Sequence, residues 1–191
     1  MKSSFFLLSL LGTLSLAAQA APNDGIVGPY ARVEVGRSNF SLTSRLPRVG
    51  ADEHAQAVKV YGGYRFNENL GVEAGYAALG KLSETVALGG ASVRQDGQAR
   101  SIFGAATGRL PLGESFALFG RLGVSLGRVS GASLLPEGDT LMGSQTSVLW
   151  GLGAEYRPRP NVALTVNADS YGRLSNKVRA SALVFGVHFT L

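Results

Sequence analysis

The chain has 191 residues, a formal charge of +5, 26 glycines and no cysteine. That length suits one domain rather than two, and the missing cysteines exclude a disulfide framework, a thiolate metal site and a thiol nucleophile. The basic balance contains no run of Lys or Arg interleaved with aromatics, which argues against nucleic acid and towards anionic lipid or lipopolysaccharide as the partner.

Residues 1–20, MKSSFFLLSLLGTLSLAAQA, set Lys2 before an apolar run from Phe5 to Leu16 and end in Ala18-Gln19-Ala20. This is the layout of a cleaved secretory signal, and the run is too short for a spanning helix. The mature chain is then 21–191, exported, with a charge of about +4 once Lys2 is lost.

From Val27 onward the period is two. Eight strand segments are predicted near 27–36, 57–66, 70–79, 100–110, 116–127, 146–156, 162–171 and 181–191. Three connections are short and turn-rich: NEN, PLGES and RPRPN. The other four, 37–56, 80–98, 128–145 and 172–180, are long and polar. Strict alternation of short and long connections predicts strands that run up and down, with all the short turns on one side. An even strand count puts both ends of the mature chain on that side as well.

The two faces of these strands differ in kind. One carries Val33, Val35, Val58, Val60, Val72, Ile102, Leu122, Leu126, Trp150, Leu152, Leu164 and Phe185, with no Asp, Glu, Lys, Arg or His among its members. The other carries Arg32, Glu34, Lys59, Arg65, Glu73, Arg109, Arg121, Glu155, Asp169 and His188 among small residues. In a water-soluble barrel, burying the charged face in the cavity would be costly, and exposing the apolar face of eight adjacent strands to water would make one large adhesive patch. In lipid the apolar face needs no partner, and closure leaves no backbone edge unpaired. The predicted fold is therefore all-β, an eight-stranded antiparallel up-and-down transmembrane β-barrel, with short turns periplasmic and long loops extracellular.

A barrel of that size is just wide enough for side chains to fill. Its inward charges should neutralise one another as a plug, with Lys59, Arg121, Arg32, Glu34 and Asp169 near mid-barrel, Glu73 diagonal to Arg65, and Glu73 and Arg121 as plug members. Tyr30, Tyr64, Phe66, Phe116, Tyr156 and Phe189 lie near the short-turn ends, where an aromatic girdle would anchor the barrel. Tyr76 and Tyr171 fall nearer the long loops, Tyr171 as a candidate for the inner face, and Trp150 points outward.

Chemistry beyond packing is thinly supported. His54 and His188 are the only histidines: His188 falls near the periplasmic end, the wrong end for chemistry on lipid A, and no serine neighbours His54 with a carboxylate at a recognisable spacing. No Lys-Ser or Lys-Thr follows the glycine pairs, so no phosphate loop is expected, and no metal, cofactor or catalytic residue is assigned.

The stretch VYGGYRFNENLGVEAGYAALGKLS, residues 60–83, resembles the second and third strands of the OmpA-like transmembrane domain and the related small outer-membrane β-barrel proteins. LPLGESFALFGRLGVSLG, residues 110–127, resembles a later turn-to-strand passage of the same group, and ALVFGVHFTL resembles its C-terminal strand. The resemblance implies an outer-membrane location, a C-terminal strand read by the barrel assembly machinery, and a charged lumen whose pairs exchange partners as a gate. No peptidoglycan-binding domain is expected after the barrel. The expected role is that of a monomeric structural barrel for envelope integrity, with a narrow or plugged lumen that leaves a porin-like activity open. The alternative is an adhesin acting through its long loops on a surface ligand, and a lipid A-modifying enzyme is the weaker third.

Overall fold

The computed structural model describes residues 27–43, 48–88, 91–132 and 140–191. The signal segment assigned to 1–20 lies outside the described residues.

Among the described residues nine strands follow in chain order: β1 (Gly28–Leu42), β2 (Arg48–Asp52), β3 (His54–Arg65), β4 (Leu70–Leu88), β5 (Ala91–Pro111), β6 (Phe116–Ala132), β7 (Gly143–Arg159), β8 (Val162–Arg173) and β9 (Val178–Thr190). Every pairing is antiparallel. The order β2-β4-β3-β1-β9-β8-β7-β6-β5 is closed into a ring by β4 pairing β5. Because β2 and β3 pair successive stretches of β4, they are one broken stave, and the barrel has eight. Closure satisfies the backbone of every stave from both sides, the condition for any sheet that crosses hydrocarbon.

The short turns follow from local chemistry. Asn67 Oδ1 accepts hydrogen bonds from the backbone N–H of Asn69 at 2.9 Å and of Leu70 at 2.8 Å, which bends the chain from β3 into β4. Residues 112–115 and 160–161 make the other two turns on this rim.

The opposite rim departs from expectation. Most of the residues read as long loops, 37–56, 80–98, 128–145 and 172–180, are paired strand. β4, β5 and β6 run for 19, 21 and 17 residues, whereas crossing a bilayer takes only about 9–11. On β5 the lipid-facing band ends at Ile102, so residues 91–100 continue beyond it for about 30 Å of strand at the usual rise. Alternation does not stop there; its sense reverses. Below Ile102 the outward side is apolar and the inward side charged. Above it the outward side is polar, as at Lys81, Arg94 and Gln98, while Phe40, Leu79, Leu82, Val86, Val129, Leu174 and Val178 are buried inside. The molecule is thus a membrane barrel continued upward by a barrel of ordinary soluble character, with an apolar core.

Two bulges adjust the register where the sense changes. Between Ala78 and Gly80 the β4–β5 pairing shifts, and the inward set passes from Glu73, Ala77 and Leu79 to Leu82, Glu84 and Val86. Gly80 stands there with φ +91°, and Gly172 with φ +65° marks the equivalent shift in the β8–β9 pairing. Other glycines supply room rather than backbone freedom. Tyr30 sits opposite Gly63, Tyr61 and Phe103 on either side of Gly75, and Phe119 opposite Gly153. A Cβ on Gly63 or Gly153 would lie 2.5 Å from the facing ring, so these inward glycines let aromatic rings lie across a narrow lumen.

Gly80→Val should cost about 1–3 kcal/mol, because a β-branched residue resists positive φ and its Cβ would meet Ala55 and Gln56. A lowered urea midpoint of the detergent-refolded barrel checks this, with Gly113→Val in an open turn as the comparison that separates φ strain from collision.

Candidate functional site

The site most able to decide what passes through this protein is the lower lumen. Alternation along the strands points a charged set inward from all eight staves, and the structure places all ten inward candidates inside the barrel: Arg32, Glu34, Lys59, Arg65, Glu73, Arg109, Arg121, Glu155, Asp169 and His188 are all buried. They form two knots joined by a phenol.

Glu155 is the centre of the lower knot. Arg32 Nη2 lies 2.9 Å from its Oε2, Arg157 Nη2 2.9 Å and Arg109 Nε 3.4 Å from its Oε1, and Arg65 Nη2 3.8 Å from Oε2. His188 Nδ1 sits between Arg32 Nε at 3.0 Å and Glu155 Oε2 at 3.1 Å. One ring nitrogen either accepts from the guanidinium or donates to the carboxylate, so its proton decides which contact is a hydrogen bond.

The upper knot holds three carboxylates against two cations. Lys59 Nζ lies 2.7 Å from Asp169 Oδ2 and 3.5 Å from Glu34 Oε2. Arg121 Nη1 lies 3.0 Å from Glu73 Oε1, and its Nε 3.4 Å from Asp169 Oδ1. Asn167 donates to Asp169 at 2.8 Å and Tyr30 to Glu73 at 3.2 Å. Tyr61 joins the knots, its hydroxyl donating to Glu34 at 2.6 Å while accepting from Arg121 at 3.1 Å and from Arg32 at 3.4 Å. Rings line the cations too, with Arg32 4.7 Å from the Phe119 centroid and Lys59 4.4 Å from that of Tyr61.

Above the knots Tyr61, Phe103 and Tyr171 form an edge-to-face layer, with centroid separations of 5.8 and 6.3 Å. Leucines and valines fill the barrel beyond it. Higher still, Gln95 binds Glu84 at 2.9 Å and accepts from the backbone N–H of Leu141 at 3.0 Å, and Ser175 Oγ donates to the Leu141 carbonyl at 2.9 Å. Leu141 is thereby held fully buried within the upper mouth.

Several sequence readings need adjustment. Tyr30 is 4% exposed and bonds Glu73 inside the lumen, so it is not part of the girdle. Its even number already put it in phase with Arg32 and Glu34, and its closeness to the rim disguised that. Tyr64, Phe66, Phe116, Tyr156 and Phe189 do point outward at the short-turn rim, with the Phe116 and Tyr156 rings 4.7 Å apart. The RPRPN stretch reads as a turn, yet β7 continues through Arg157 and parity with Glu155 turns it inward. Tyr61 was legible by parity with Lys59. Register places Glu73 diagonal to Arg65, but the ion pair at 3.0 Å is with Arg121 across the lumen. Tyr171 lies inside. His54 is exposed on the upper part of β3.

With this geometry in place, comparison with known proteins is informative. Residues 6–190 match the family description "outer membrane protein beta-barrel domain". The chain belongs to that family. It is 26% identical over 166 residues to outer membrane protein A of Shigella flexneri, a match that covers 85% of this chain and 46% of the relative. The chain thus spans about half the length of that relative. Neisserial surface protein A superposes with a TM-score of 0.58 at 20% identity, over 86% of this chain and 97% of that one. Ail of Yersinia pestis, solved in complex with the heparin analogue sucrose octasulfate, gives 0.52 at 16% identity, over 85% and 98%. This family barrel therefore resides in the bacterial outer membrane, its apolar band in the bilayer.

Glu155→Ala should be the most damaging lumenal change, since it strands Arg32, Arg65, Arg109 and Arg157 together out of water. A loss of about 3–5 kcal/mol in urea unfolding is expected. Glu73→Gln and Arg121→Met should be markedly non-additive, with a coupling of about 1–3 kcal/mol in a double-mutant cycle.

Proposed function

We propose that the protein is a sealed structural barrel of the outer membrane, contributing to envelope integrity and carrying no sustained solute flow. The filled lumen is the observation behind this reading. A solute would have to break an ion-paired knot and then displace an apolar core, and no single side-chain rotation achieves both. The reading takes residues 1–20 as a removed signal and 21–191 as the barrel, with short turns periplasmic and the C-terminal strand presented to the assembly machinery. Exchange of Arg121 or Lys59 between carboxylates could loosen the upper knot, but the apolar core above it would still close the path. Planar-bilayer recording checks this: wild type is expected to stay at baseline conductance. Stable single-channel openings in wild type would refute a sealed lumen. A deletion strain that resisted detergent as well as its parent would refute the envelope role.

A second reading has one supporting observation. β4 and β5 continue well beyond the lipid band as a rigid paired extension, a platform suited to recognition at its tip, and the Ail structure was solved with a polyanionic ligand. Under this reading, replacing residues 86–93 by a two-residue turn abolishes surface binding while detergent resistance is kept.

A further inference from the structure

At the upper edge of the apolar band, two horizontal rows cross β4, β5, β6 and β7 on the outer surface. Register sets Tyr76, Ile102, Leu126 and Thr146 side by side, and directly above them Ala78, Arg100, Arg128 and Ser144. Arg100 and Arg128 are thus directly opposed neighbours on adjacent strands, both exposed. Like charges at opposed positions repel and weaken a sheet. Among the described residues neither guanidinium has a hydrogen-bond or ion-pair partner, and the carboxylate two pairs higher, Asp96, is held by Arg94 at 3.0 Å. A cleft of about 280 Å³ opens between the rows, lined by Tyr76, Ile102, Leu126, Arg100, Arg128 and Ser144. β8 and β9 repeat the motif with Arg173 opposite Arg179.

We propose that this cleft is a binding site for the phosphorylated headgroup of a membrane lipid. Two planar guanidinium forks side by side match the oxygens of one phosphate, and the Ser144 hydroxyl adds a donor. An acyl chain descending from such a headgroup would run along Ile102, Leu126 and Tyr76, which already face hydrocarbon. The level of the cleft selects the occupant: a soluble anion would leave those apolar walls uncovered, and a chain without a phosphate would leave the arginine pair uncompensated. Because the cleft lies on the side of the strand extensions, the orientation proposed above makes the lipid one of the outer leaflet, where lipopolysaccharide carries phosphates.

The test uses protein purified from outer membranes, exchanged into non-ionic detergent and titrated by native mass spectrometry. The probes are bisphosphorylated lipid A, the same lipid stripped of phosphate, and inorganic phosphate. Wild type is expected to bind the phosphorylated lipid at least about tenfold more tightly than the stripped one. R100Q/R128Q should lose that preference while keeping its heat-modifiable gel shift. R159Q, which removes an exposed charge at the opposite rim, should keep the preference. Equal binding of the two lipids by wild type, an unchanged preference in R100Q/R128Q, or an equal loss in R159Q would each overturn the site. Displacement of the lipid by millimolar inorganic phosphate would overturn its assignment to a lipid. Binding in detergent does not depend on which rim faces outward, so an inverted orientation would be detected separately, by protease access in whole cells.

Discussion

Everything in this barrel follows from the need to leave no backbone polar group unpaired in hydrocarbon. Eight staves close upon themselves, and the last pairing, β4 with β5, removes the two edges the sheet would otherwise have had. Closure at eight sets the width, and the width sets the interior. There is room for side chains and little else. Since the outer face must be apolar, the inner face takes the remaining residues, and charged ones in so narrow a space have to find each other. The knot about Glu155 and the pairs from Arg121 and Lys59 are how that demand is met. Buried ion pairs of this kind are poor sources of net stability but costly to break, which suits a part whose task is to keep one arrangement.

Much of this was legible from parity alone. A residue's odd or even place gives its side where strands cross lipid, and ten inward ionisable groups were found in that way, whereas Tyr30 and Arg157 at the short-turn rim were not. Pairing across the lumen was not legible. Glu73 meets Arg121 from another stave 48 positions along, and nothing in sequence spacing encodes which staves face one another until closure is known. The extensions were missed for a different reason. Above Ile102 the solvent outside changes from lipid to water, so the apolar side of each strand turns inward, and the Gly80 bulge moves its phase on β4 at almost the same level. A pattern that reverses both sense and phase reads as loop to any scheme that follows one face.

Position in the lumen also separates two meanings of a closed pore. Partner exchange among carboxylates is chemically accessible in the upper knot, where Asp169 already shares Lys59 with Glu34 and Arg121 with Glu73. The apolar core has no such alternative, since moving Leu79, Leu82 or Leu174 aside would open a void in a close-packed interior. The charges give the barrel adaptability and the leucines give it closure.

The reversal of polarity also fixes where the protein stands in its bilayer. A shift outward by one pair of residues would lift Ile102 and Leu126 into water; a shift inward would carry Arg100 and Arg128 towards hydrocarbon, at a cost that rises to about 2–4 kcal/mol per arginine at the midplane. The barrel is therefore a gauge of membrane thickness. Where the surrounding lipid is thicker or thinner than the band, it is the lipid that must stretch or compress to meet the protein.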